Sequence, residues 1–366
     1  GAARHDRSTG IHAPLLADAM AFAPLGAGVP AFLRVELDLV GLLQAQHDEL
    51  VEMLAGVAGI PADSVVLTYS HTHASGRFEP DRFALPGGEL LPAYLAELRT
   101  RLHDAAAAAV AAMQPATITY AVGRCSMAGN RDYWDDEYRA YTCGFNPDAP
   151  ADDTLIAGRV VADGGRLLAT LVHYACHPTT LAWENTLTSP DFVHGLRGPV
   201  ESATGAPCVF LQGASGDLGP RDDYIGGPAV ADSNGRQVGY AALSALESMG
   251  PAGADFVYAG HVISGATLGT WKHEPHAGER AGAAAHFAGG RLGAKLGVAV
   301  DEYTFEAWCF NGLPADARAV TGYLFSRGEA VEHAFAGEHF GIGGTDQEGA
   351  IQGKLFVYNG DERHEW

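Results

Sequence analysis

Between residue 32 and about residue 260, short β-rich runs alternate with longer Ala/Leu-rich stretches of helical spacing. This alternation constrains the chain to an α/β fold. Residues 31–39 (AFLRVELDL) and 64–70 (SVVLTYS) read as strands. The helix expected between them, over 42–57, is stopped by Gly59 and Pro61. An alanine-rich run makes 89–113 a long helix. Strands are expected at 117–122, 154–161 and 166–175, the last two joined by Ala162-Asp163-Gly164-Gly165, a hairpin signal. Helices near 192–204 and 235–248 precede strands at 208–212 and 255–262. Because a hairpin interrupts the crossovers, the sheet is expected to be mixed. The predicted architecture is a mixed β-sheet core with flanking helices and an active site at the strand ends.

After Gly265 the text becomes rich in Gly, Ala and His. The reading divides the chain into an α/β catalytic domain over 1–265 and an extension or small subdomain over 266–366. Strands at 303–310 and 354–358 are expected in the latter.

Composition narrows the partners. With 47% hydrophobic and 18% charged residues, the chain has enough apolar material for a core, unlike a disordered tail or a fibre. Lysine and arginine number 23 against 44 acidic residues, a formal charge of −21, so nucleic acid and anionic membrane surfaces are disfavoured as partners. No apolar run approaches the roughly 20 residues of a transmembrane segment. Cys125, Cys143, Cys176, Cys208 and Cys309 contain no C-x-x-C pair and are odd in number, which points to a reduced compartment. The first twenty residues lack an apolar signal core. A cytoplasmic location is the expectation, with secretion after removal of a leader as the alternative.

Three strand ends carry chemistry. Ser70-His71-Thr72-His73 follows an apolar run, so alternation would put both imidazoles on one face where a buried strand reaches solvent. Two imidazoles on one face suit zinc. The second strand end reads Cys176-His177-Pro178-Thr179-Thr180, and Pro178 holds the His177 backbone extended or turned. His173 and Cys176 read as packed core residues. The third is the turn Gln212-Gly213-Ala214-Ser215-Gly216-Asp217, which reads as a tight connection with positive φ angles. Ser215 lacks the G-x-S-x-G context of a hydrolase nucleophile. Asp38 reads as a turn residue ending a strand.

Taken together, residues 67–76 (LTYSHTHASG), Asn130-Arg131, 173–191 (HYACHPTTLAWENTLTSPD) and 210–220 (FLQGASGDLGP) resemble the neutral/alkaline ceramidase family in motif and order. Residues 10–15 and 35–38 resemble the family's opening, so the likeness spans roughly 10–265. It implies a zinc-dependent amidase with one zinc per chain, cleaving an N-acyl amide of a small molecule or lipid, with ceramide as the type substrate. On this likeness His71 and His177 hold the metal, and His73 lies in or beside the site. His73 and Asp217 are the expected catalytic residues; Arg131, Asn185 and Asp191 are the expected substrate side.

Two departures stand out. The glutamate and tyrosine that complete the family's metal site have no matching motif after residue 265, where Glu302, Tyr303, Glu306, Tyr323, Glu329 and Tyr358 stand outside any motif. Gly219 occupies the place of a family serine. A hydrolase of a different amide or ester, or a ligand-binding relative with a degenerate site, are therefore the alternative readings.

Overall fold

The structure is a computed structural model that describes residues 8–222, 224 and 227–275, together with four later strands. Its first layer is the sheet of β2 (Ala17–Phe22), β3 (Phe32–Leu37) and β4 (Val65–Tyr69), in that order. β2 and β3 are antiparallel. β3 and β4 are parallel, so they need a crossover, which α1 (Gln44–Ala58) supplies. Gly59 ends α1 in the left-handed conformation (φ 68°), with its N–H on the Ala55 carbonyl. α2 (Leu91–Ala111) completes the lobe. Leu33, Val35 and Leu37 of β3, Leu54 of α1 and Leu102 of α2 meet in one buried core.

The second sheet runs β12 (Cys208–Gln212), β10 (Leu167–Tyr174), β9 (Thr154–Ala162), β5 (Ala116–Arg124). β9 and β10 form the expected hairpin, and β10 pairs parallel with β12 across α3 (Phe192–Thr204). α4 (Pro228–Glu247) follows and is longer than the sequence pattern suggests. Val172, Tyr174, Phe192, Leu196, Phe210 and Val238 form a second core.

The fold is thus α/β with mixed sheets, and its two lobes share one plan. An antiparallel strand pair, a crossover helix, a parallel strand and a covering helix occur as β2-β3-α1-β4-α2 and again as β9-β10-α3-β12-α4. No repeat of sequence accompanies this repeat of topology.

A buried ion pair ties the lobes. Arg197 on α3 is buried against Asp38, just past β3, with guanidinium to carboxylate distances of 2.5 and 3.2 Å. Asp38, expected as a turn residue, is therefore half of a buried ion pair. Within the second lobe, α3 and α4 cross through glycine: a Cβ at Gly195 would lie 2.5 Å from the Asp232 carbonyl oxygen, and one at Gly235 would run into the Phe192 carbonyl.

Smaller pieces complete this part. β1 (Gly10–Ile11) pairs with β11 (Leu187–Thr188), and β6 (Ala128–Asn130) with β13 (Leu218–Pro220). β7 (Asp132–Asp135) and β8 (Ala140–Cys143) form an exposed hairpin. β14 (Ala254–Ile263) and β15 (Thr267–Pro275) form another, and the boundary expected at 265 falls on its turn at Gly265.

By internal contacts the chain divides into two units, Gly1–Leu292 and Gly293–Trp366. The later unit contains the antiparallel sheet β16 (Gly322–Arg327), β17 (Glu338–Ile342), β18 (Leu355–Tyr358), β19 (Arg363–Glu365). The strand expected at 354–358 matches β18; the one at 303–310 lies outside the described residues, as do Glu302, Tyr303, Glu306 and Glu329. Among the described residues, no helix is long and apolar enough to cross a membrane. Cys125, Cys143, Cys176 and Cys208 are thiols.

Candidate metal centre

The site is built where the two lobes meet. β4 of the first lobe ends at Tyr69, and the chain turns sharply at His71, whose φ of 67° is left-handed. Strand alternation therefore stops two residues earlier than the sequence reading assumes, yet His71 and His73 still converge, with ring centroids 5.1 Å apart. Left-handed backbone at a non-glycine residue is strained and persists only where surrounding contacts enforce it. Here the enforcing contacts are the His71 N–H on the Leu39 carbonyl at 2.9 Å and its Nδ1 on the Val40 carbonyl at 2.6 Å.

From the second lobe, His177 follows β10. Its ring lies 4.6 Å from that of His71 and 5.0 Å from that of His73. His177 Nδ1 meets the Ser215 carbonyl at 3.1 Å, and its N–H donates to the Leu218 carbonyl at 2.9 Å. The glycine-rich turn after β12 thus serves to hold His177. None of its glycines has positive φ; Gly213 is required instead by close approach, since a Cβ there would lie 2.9 Å from Ala175 Cα.

One ligand atom from each of His71, His73 and His177 lies within 4.8 Å of the other two, a group able to hold a metal ion. The donor chemistry fits zinc. With Nδ1 of His71 and His177 donating to backbone carbonyls, each Nε2 keeps its lone pair facing the centre, the arrangement that orients metal-binding imidazoles. Nε2 of His73 lies 3.1 Å from Nε2 of His177. His73 differs from the other two: among the described residues its Nδ1 has no backbone carbonyl partner.

Electrostatics keep the rings neutral. Burial lowers the pKa of all three, with the Arg131 charge adding to the effect, and His73 and His177 fall to about 4. Neutral imidazole is the form that binds metal. Arg131 follows β6; its N–H donates to the Asp217 carbonyl at 2.9 Å and its Nε to the Gly216 carbonyl at 3.0 Å. Tyr133 and Trp134 of the adjoining hairpin are exposed on β7.

The remaining expected site residues fall elsewhere. Asp217 is exposed at the turn and is outside the histidine group. Asn185 closes a turn on itself, Nδ2 donating to the Leu187 carbonyl at 2.7 Å and Oδ1 accepting from Leu187 N–H at 3.1 Å. Asp191 is fully buried with φ 59°, its two carboxylate oxygens accepting from Leu181 N–H at 2.8 Å and Phe192 N–H at 2.7 Å. It anchors the loop after His177 and the start of α3, so it has no surface to offer a substrate. Cys176 is wholly buried and lies outside the group, as expected of a packed thiol.

The carbonyls of Val40 and Ser215 were not legible in the sequence, since any residue type carries a carbonyl.

No family model and no curated protein matches the chain. Among solved structures it is similar to the neutral ceramidase from Pseudomonas aeruginosa, with 20% identity and a TM-score of 0.51, over 68% of this chain and 42% of that one. It is also similar to a ceramidase complexed with C2, at 20% identity and a TM-score of 0.49, over 69% of this chain and 42% of that one. The chain therefore spans under half the length of these structures. The likeness to the Pseudomonas protein is one of fold.

Proposed function

We propose that the chain is a zinc-dependent amidohydrolase of ceramidase-like type that cleaves an N-acyl amide (C–N) bond with an activated water. The observation that carries this reading is the convergence of three neutral imidazoles from two strand ends, two of them fixed through Nδ1 by backbone carbonyls. The shared fold with neutral ceramidase supports it.

His71 and His177 would hold the metal, because theirs are the imidazoles whose tautomer is set. Bound there, zinc supplies Lewis acidity, acidifying a water toward a pKa of about 7 and polarising an amide carbonyl. His73, neutral and with Nδ1 uncommitted to a backbone carbonyl, would take a proton on its ring and deliver it to the departing amine. The lowered pKa of His73 leaves its ring unprotonated at neutral pH. Arg131, committed to the turn only through its backbone N–H and Nε, would use its terminal N–H groups to bind substrate oxygen and stabilise developing negative charge. Asp217 would steady Arg131 through its backbone carbonyl rather than act in catalysis itself.

A second reading, hydrolysis of a more polar N-acyl compound or an ester by the same centre, is favoured by the Arg131 cation beside the histidines. A substrate panel tests both. Zinc-loaded protein is assayed against N-acylsphingosines, N-acyl amino acids and matched esters. Release of fatty acid from the sphingosine amides supports the ceramidase-like reading, and preference for the anionic amides or esters supports the second. No turnover of any amide or ester by zinc-loaded protein contradicts hydrolysis altogether.

A further inference from the structure

On the side of the histidine centre nearest α4, a chain of polar contacts runs from Asp232 through His12 and Ser189 to the loop that carries His71 and His73. His12 Nε2 lies 3.4 Å from the Asp232 carboxylate, and His12 Nδ1 lies 2.9 Å from Ser189 Oγ. Ser189 Oγ also accepts from the Asp191 N–H at 2.9 Å.

Ser189 has no exposed surface, which removes it from any role as a nucleophile. Its backbone does the further work. The Ser189 carbonyl accepts from Thr72 Oγ1 at 2.7 Å, and the Ser189 N–H donates to the Ala74 carbonyl at 3.1 Å. Thr72 stands between the two histidines and is itself fully buried. Ser189 thus grips the histidine loop from both sides of His73, and among the described residues His12 is the side chain that hydrogen-bonds the Ser189 hydroxyl.

We propose that His12 is a positioning residue for the histidine centre, fixed by Asp232 and acting through Ser189 on the loop bearing His71 and His73. The glycine crossing of α3 and α4 belongs to the same device, because Gly195 lets the Asp232 backbone approach closely enough for its side chain to reach His12. Removing a group that orients metal ligands from behind costs about 10–100-fold in metal affinity. The same loss is expected of His12→Ala. His12→Gln, whose amide oxygen can accept from Ser189 and whose amide nitrogen can donate to Asp232, should recover most of it.

This inference rests on the metal reading above, and the experiment separates the two. Zinc affinity by competition with a chromophoric chelator and the visible spectrum of the cobalt-loaded protein are measured for wild type, His12→Ala, His12→Gln, Thr72→Val and the His12→Ala/Thr72→Val pair, with far-UV circular dichroism as the fold control. Expected are a loss of about tenfold or more in affinity and an altered cobalt spectrum for His12→Ala, recovery in His12→Gln, and a double variant no worse than the weaker single one, because both act along one chain of contacts. Wild-type affinity and spectrum in a folded His12→Ala overturn the proposal, as does full additivity in the double variant. If His12→Ala does not fold, failure of the folded His12→Gln protein to match wild-type affinity overturns it. A wild-type protein that takes up neither metal overturns this inference together with the metal reading.

Discussion

Nε2 of His73 lies 3.1 Å from Nε2 of His177, although 104 positions separate the two residues. The contact exists because each lobe delivers a parallel strand to the junction, and the lobes are held there by buried groups rather than by the histidines themselves. The site is therefore preorganised by the scaffold. Its geometry should survive loss of any one imidazole.

The three histidines should respond differently to truncation. His71→Ala and His177→Ala are expected to lose stoichiometric zinc while remaining folded. His73→Ala should keep zinc but lose turnover by about 100-fold or more, in line with removal of a general acid or base. Metal content and kcat on the three variants decide this; equal loss of zinc in all three would make His73 a ligand.

Strain at His71 predicts a difference between two truncations. Its φ of 67° suits glycine and not alanine. His71→Gly should be more stable than His71→Ala by about 1 kcal/mol, measured by urea unfolding of the metal-free proteins. Alanine equal to glycine would mean that the backbone relaxes once the ring is gone.

In the metal-free protein, His73 and His177 should titrate near pH 4 rather than at the ordinary 6.5. The sign follows from linkage: as pH falls below 6.5 the unfolded chain takes up protons before the folded one does. Stability present at neutral pH is thus lost progressively as pH falls toward about 4, and no further below it. Histidine ring resonances followed by NMR check the pKa values. Arg131→Ala should move the His177 value upward, since the arginine charge helps to hold it down.

The buried pair Arg197–Asp38 should matter to stability and not to chemistry. Arg197→Met leaves Asp38 buried without its cation and is expected to cost about 3–5 kcal/mol in chemical unfolding. Asp38→Asn combined with Arg197→Met should cost less than the sum. Additive losses would show that the two side chains do not act as a pair.

Much of this arrangement was legible in the sequence because it obeys local rules. β3, α1, β4, α2, β5, β9, β10, α3 and β12 follow hydrophobic periodicity and breakers such as Gly59, and the histidines stand at strand ends where α/β folds present ligands. What sequence could not give depends on contacts made at long range. The left-handed turn at His71, the carbonyls of Val40 and Ser215 and the burial of Asp191 arise from tertiary packing within each lobe, and the burial of Asp38 from its pairing with Arg197 of the other lobe. Asp191 and Asn185 read as substrate residues because polar groups near a motif look functional. In the fold, one is consumed by backbone amides and the other by its own turn. β2 carries no such signal, because ADAMAF has weak strand character and is recruited by its pairing with β3.

The most direct test of the account is the metal content of the purified native chain by elemental mass spectrometry, before and after dialysis against zinc. The account predicts close to one zinc per chain, retained after gel filtration. A protein that is metal-free as isolated and takes up no added zinc would contradict it.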